Sequence, residues 1–202
     1  MGICYLVGAG DFNENIELYE DDLLIAVDGG FDSLTKAGYT PDVLVGDLDS
    51  VKSQIPESVK VLKYNKEKDE TDMFLAYRLG TKCDYTDFVI LGGTGGRLDH
   101  TYANLSILLY AKERGHNITM IDERSMIICI KNESVKLSGK PGSYLSVFAI
   151  GGEASGVSIS GAKYEVESTT LSPAFPLGVS NEFTENDAVI TVEHGALIII
   201  AE

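Results

Sequence analysis

Residues 88–121 read FVILGGTGGRLDHTYANLSILLYAKERGHNITMI. An apolar run, Phe88–Leu91, breaks into four glycines among the five residues 92–96. A helical pattern then opens near Asp99 and puts Leu98, Tyr102, Leu105 and Leu109 on one face. Gly115 fits just past its end, and a second apolar run, Ile118–Ile121, comes next. Neither run alternates with polar residues, which is how strands covered on both faces read. Strand, helix and strand in this order build a parallel sheet.

The same rhythm extends upstream. Ile3–Val7, Leu23–Val27 and Val43–Val45 read as further strands, and a helix opening near Asp69–Asp72 puts Met73, Ala76, Tyr77 and Gly80 on one face. The strands run into short turns rich in Gly and Asp: Gly-Ala-Gly-Asp11 after Val7, Asp28-Gly-Gly after Val27, Gly-Asp47-Leu-Asp49-Ser after Val45, and Asp122 after Ile121. Open parallel sheets bind ligands outside the carboxyl ends of their strands, and here Gly and Asp gather at those ends. After Ser125 the pattern changes to short runs separated by Gly, Pro and Ser: Met126–Ile130, Tyr144–Ile150, Val157–Ile159 and Lys163–Glu167. Val189–Val192 and Ala196–Ile200 flank Gly195 as an expected hairpin. The reading is an α/β domain with a mostly parallel sheet over 1–124, joined directly to an all-β sandwich or partial barrel over 125–202.

Composition narrows the function. The 202 residues are 44% hydrophobic and 23% charged, as in ordinary globular proteins. The net charge of -15 disfavours a nucleic-acid partner. It also means that a nucleotide site needs local cations, backbone N–H groups or a metal. No apolar run approaches a membrane span, the N-terminus lacks the cationic region of a signal peptide, and a cytoplasmic address is expected. Cys4, Cys83 and Cys129 form no disulfide or zinc pattern, and are expected as reduced, mostly buried thiols.

Three segments carry chemistry. In VLVGDLDSV, Asp47 and Asp49 leave a strand at i and i+2. They can share a hard cation such as magnesium, or simply form an Asx turn. In KEKDETD, Asp69 or Thr71 can cap a helix, and Asp72 either suits the helix dipole or joins the Asp47/Asp49 pair. In LGGTGGRLDH, the glycines expose N–H donors to phosphate oxygens, and Arg97 offers a fork at a helix N-terminus. Asp99 opposes phosphate there unless a metal bridges them. His100 lies in the same segment and equally suits a helix start. Neither a Walker A motif nor a nicotinamide-dinucleotide fingerprint is present. Two carboxylates 4 Å apart at an effective dielectric of 20 repel by ~4 kcal/mol. Four of them at neighbouring strand ends therefore point to magnesium–nucleotide chemistry.

The ordered set AVDGGFDSL, PDVLVGDLDSV, KEKDETD, LGGTGGRLDH and GVSNEF resembles the thiamine pyrophosphokinase (thiamine diphosphokinase) family of the compact bacterial type, over essentially the whole chain. The resemblance implies a Rossmann-like ATP-binding domain, a C-terminal sandwich that binds thiamine and dimerises, and a homodimer with sites between protomers. It implies transfer of the diphosphoryl group of ATP to the thiamine hydroxyl, with magnesium on Asp47, Asp49 and Asp72. Asp72, Arg97 and Asp99 are implied at the transfer site. Asp28, Asp47, Thr71, Gly95, Arg97 and His100 are implied on the nucleotide. Ser180 and Asn181 are implied on thiamine, together with Tyr164, where some relatives carry Trp. Two rivals are an aspartyl-phosphate phosphatase using Asp47-Leu-Asp49-Ser-Val51 and a non-catalytic nucleotide- or thiamine-binding regulator. The first normally carries its motif on the first strand, and the second has little need of crowded carboxylates.

Overall fold

A computed structural model describes residues 2–10 and 16–202. Asp11, at the end of the first glycine turn, lies outside the described residues. The chain forms two compact units, Met1–Ile107 with Gly115–Glu123, and Leu108–Arg114 with Arg124–Glu202.

The first unit runs β1 (Cys4–Val7), β2 (Leu23–Val27), α1 (Gly30–Lys36), β3 (Val43–Gly46), β4 (Lys60–Lys63), α2 (Asp72–Lys82), β5 (Asp87–Leu91), α3 (Leu98–Lys112, whose last turns belong to the second unit) and β6 (Asn117–Ile121). Its strands lie in the order β4-β3-β2-β1-β5-β6, and each neighbouring pair is parallel. Leu6, Ile25, Leu44 and Ile90 are fully buried, which is why these runs show no polar alternation. Strand order reverses direction between β1 and β5, so a crevice is expected where their carboxyl ends part. β4 has no apolar signature in the sequence. It is an edge strand with exposed lysines at both ends, a common guard against edge-to-edge pairing.

Thr71 caps α2, accepting the N–H of Phe74 at 3.2 Å, and Met73, Leu75, Ala76, Tyr77 and Gly80 are buried along it. α3 corrects the sequence reading. Leu98 and Tyr102 are 82% and 73% exposed, and the buried positions are Asn104, Ile107, Leu108 and Ala111. α3 is apolar on several sides, so spacing could not choose a face. The polar residue on its buried stripe, Asn104, donates to the carbonyl of Gly93 at 2.8 Å. Of the thiols, Cys4 and Cys129 are buried and Cys83 is exposed. Burial pushes Cys129 up to about 12, so it stays protonated.

The second unit contains β7 (Met126–Lys131), β8 (Ser134–Leu137), β9 (Tyr144–Ser160), β10 (Val166–Leu171), β11 (Asn181–Glu182), β12 (Ala188–Thr191) and β13 (His194–Ala201). The pairing is antiparallel, with β13 between β7 and β9, β12 between β8 and β9, and β10 and β11 on β9. Leu145, Val147, Val157, Ile190, Leu197 and Ile199 form its core. The expected hairpin around Gly195 does not form a pair. β12 and β13 each pair with a different part of β9, whose 17 residues run unbroken through the two separate strands expected from the sequence. The Lys163–Glu167 strand is displaced to Val166–Leu171. Among the described residues no helix is long and apolar enough to cross a membrane.

Candidate active site

A cleft of about 620 Å³ opens at the carboxyl ends of the parallel strands in the first unit. One wall is glycine. The N–H of Gly8 donates to the carbonyl of Leu91, and that of Gly10 to Gly92, joining the loops after β1 and β5. A Cβ on Gly10 would lie 1.7 Å from the Thr94 carbonyl oxygen, so only glycine permits this approach. Asn104 fixes the Gly93 carbonyl from below. The result is backbone at the cleft surface, where side chains would otherwise stand.

The opposite wall is acidic. Asp28, Asp47, Asp49 and Asp72 all line the cleft. Asp28 follows β2 with φ 46, and Leu48, between Asp47 and Asp49, has φ 69. Non-glycine residues held at positive φ cost about 1–3 kcal/mol and cluster at functional sites. The Asp28 carboxylate occupies space that a Cβ on Gly46 would fill, 1.7 Å from its Oδ1. Burial first, then the charge of Asp72, and further Asp47, push Asp28 up to about 6. Asp47 accepts the N–H of Asp49 at 3.0 Å, so the Asx turn expected as an alternative is present. That turn aims the pair without using Asp47 Oδ2. Asp32, on α1, braces the next residues by accepting the N–H groups of Lys52 at 3.0 Å and Ser53 at 2.8 Å.

Cations answer these acids. Lys66 Nζ lies 2.6 Å from Asp49 Oδ2 at an exposed position, and Lys68 Nζ lies 2.6 Å from Asp72 Oδ1 where both side chains are largely buried. Arg97 also lines the cleft, yet its guanidinium forks onto Asp99, with Nε at 3.1 Å and Nη2 at 2.5 Å. That fork holds the Asp99 carboxyl below its usual range. Thr71 and His100 line the cleft, whereas Gly95 and Asp99 stand outside its lining. The sequence reading thus has Asp28, Asp47, Asp49, Thr71, Asp72, Arg97 and His100 in one place. It missed Lys66, Lys68, Glu70 and Asn104 as lining residues. The lysines were visible in KEKDETD, but spacing alone did not say which carboxylates they meet.

The remaining candidates lie in the second unit. Tyr164 is 59% exposed, with Lys163 Nζ 5.4 Å from its ring centroid. Ser180 has φ 59, and its N–H donates to Ser146 Oγ at 3.1 Å. Asn181 is buried, and its amide bonds to the backbone of Tyr164 and Glu182.

Comparison with known proteins gives a consistent picture. A family model described as thiamin pyrophosphokinase, catalytic domain, matches residues 16–120, and one described as thiamin pyrophosphokinase, vitamin B1 binding domain, matches residues 127–198. The chain is 28% identical over 187 residues to a thiamine pyrophosphokinase of Bacillus subtilis, covering 90% of this chain and 87% of that one. It superposes on the crystal structure of thiamin pyrophosphokinase from Geobacillus thermodenitrificans with a TM-score of 0.83 at 25% identity, covering 99% and 97% of the two chains. A thiamin pyrophosphokinase family protein from Enterococcus faecalis gives a TM-score of 0.84 at 25% identity, covering 98% of each.

Proposed function

The chain belongs to the thiamin pyrophosphokinase family, and from that membership we infer how its residues divide the work. The enzyme transfers the diphosphoryl group of ATP to the hydroxyl of thiamine, giving thiamine diphosphate and AMP. We read residues 1–124 as a Rossmann-like ATP-binding domain, and 125–202 as a sandwich that binds thiamine and dimerises.

One observation carries the site reading: Asp28, Asp47, Asp49 and Asp72 line one glycine-walled cleft, where burial first, then the charges of Asp72 and Asp47, raise the Asp28 carboxyl. Such crowding is unfavourable until a cation joins the group. Among the described residues no three His, Cys, Asp or Glu side chains form a ready-made metal cage. Magnesium does not require one, since it binds a few oxygen donors from protein and fills the rest of its shell with water and phosphate. The oxygen donors of Asp47, Asp49 and Asp72 fit it. Bound there, magnesium supplies charge neutralisation on the polyphosphate.

The protein's own groups do the rest. Backbone N–H groups of the glycine loop, including Gly95, together with Asp28, Thr71 and His100, position the nucleotide. Arg97 leaves Asp99 to fork onto the transferring group, where charge develops. Asp99, released, orients the thiamine hydroxyl or takes its proton. Thiamine is held by Tyr164, Ser180 and Asn181. The working form is a homodimer with sites shared between protomers, supported by the exposed Tyr144, Phe175, Leu177 and Val179 of the second unit. A cytoplasmic address belongs to the same reading, since ATP is the donor.

Asp28→Asn and Asp47→Asn test it. Each should lower turnover on the order of a hundredfold, the scale of losing one preorganised charge contact. The Asp28 variant should melt at an equal or higher temperature in metal-free buffer. Turnover within a few-fold of the parent in both would reduce these residues to turn formers.

A further inference from the structure

Among the described residues, three cations line the cleft, Lys66, Lys68 and Arg97, and they are not equivalent. Lys66 and Arg97 are 78% and 72% exposed, and each holds an exposed carboxylate. Lys68 is 17% exposed, packs against an Asp72 side chain that is 19% exposed, and lies 6.0 Å from the centroid of the Tyr64 ring. Its ammonium donates to Asp72 Oδ1 at 2.6 Å, and Asp72 is the neighbouring acid whose charge acts most strongly on Asp28. A divalent cation that binds the Asp72 carboxylate competes with this ammonium for its negative charge.

We propose that Lys68 is a stand-in cation: it neutralises Asp72 before substrates arrive, opposes binding of a divalent cation alone, and moves to the polyphosphate when metal and nucleotide enter together. The inference rests on the reading of Asp72 as a metal ligand. Its physical basis is the cost of an unpaired, part-buried charge. A metal arriving alone displaces Lys68 from Asp72 and costs the ammonium its buried partner. A metal arriving on ATP expels it too, but brings phosphate oxygens that the ammonium can bond. Lys68 lies on the non-helical segment between β4 and α2, and the ion pair of Glu70 with Arg78 ties the end of that segment to α2. The ammonium is therefore carried by loop and a flexible stem, and can change partner without disturbing a helix. The consequence is positive coupling, in which metal and nucleotide each raise the affinity for the other.

The test is a pair of binding titrations on the intact protein and on Lys68→Met, both checked by thermal melting. Lys68→Gln serves as a second variant if the first fails to fold. Manganese alone is followed by electron paramagnetic resonance, and manganese with α,β-methylene-ATP by calorimetry. The expected shifts have opposite signs. Manganese alone should bind on the order of tenfold more tightly, and the manganese–nucleotide complex on the order of tenfold more weakly, the scale of one charged hydrogen bond. Shifts in the same direction, or none in either titration, overturn the proposal. Asp72→Asn separates the two levels of the argument. If this variant binds manganese as tightly as the parent protein does, Asp72 is not a ligand, and the site reading falls with the inference.

Discussion

The Asn181 side chain binds the backbone of Tyr164 on both sides, accepting its N–H at Oδ1 (2.9 Å) and donating from Nδ2 to its carbonyl (2.8 Å). Oδ1 also accepts the N–H of Glu182 at 2.9 Å. A buried amide here replaces the ladder that a strand would supply, and it fixes the backbone beneath an exposed ring.

Asn181→Ala therefore acts through Tyr164. It leaves part-buried backbone groups of Tyr164 and Glu182 without this partner, at about 1–3 kcal/mol in stability. The thiamine KM should rise, and Tyr164→Ala should raise it as well. The double variant should then cost less than the sum of the two, because both remove one unit. Steady-state kinetics in thiamine and in ATP check this. Additive losses, or a change confined to the ATP KM, would contradict it.

Asp32 offers a second, pH-dependent test. Its carboxyl lies below its ordinary value of 3.8, chiefly through the Ser53 hydroxyl and then through the N–H groups of Ser53 and Lys52. A depressed carboxyl pKa gives stability that is fully present above the unfolded value and is lost as pH falls through the folded one. Asp32→Asn should therefore melt below the parent at neutral pH, and the gap should close at pH values below the ordinary carboxylate range. Because Asp32 braces the residues after Asp49, the variant should also lose turnover. A melting gap that stays constant with pH would assign Asp32 no ionic role.

Much of this was legible in the chain. The parallel strands announced themselves because burial on both faces removes polar alternation, as in Leu23–Val27 and Phe88–Leu91. The carboxylates that converge in the cleft were legible for the same reason, since Asp28, Asp47 and Asp49 come directly after buried strands. Local pattern failed where long-range pairing decides. Lys60–Lys63 is a strand only because β3 presents an edge to it. Tyr144–Ser160 is continuous because β13 and β12 each claim part of it. The buried face of α3 could not be chosen, since Asn104 is there to hold Gly93 rather than to satisfy a hydrophobic period. Lys68 was legible in KEKDETD at a helix start, but its choice of Asp72 among several nearby acids is made by the fold.

The central claim is diphosphoryl transfer to thiamine, and labelled ATP tests it most directly. The protein is mixed with magnesium, thiamine and ATP carrying the label at its β-phosphorus, and the products are separated. The account predicts all transferred label in thiamine diphosphate and an equal amount of unlabelled AMP. Label recovered in ADP, alongside thiamine monophosphate, would contradict it.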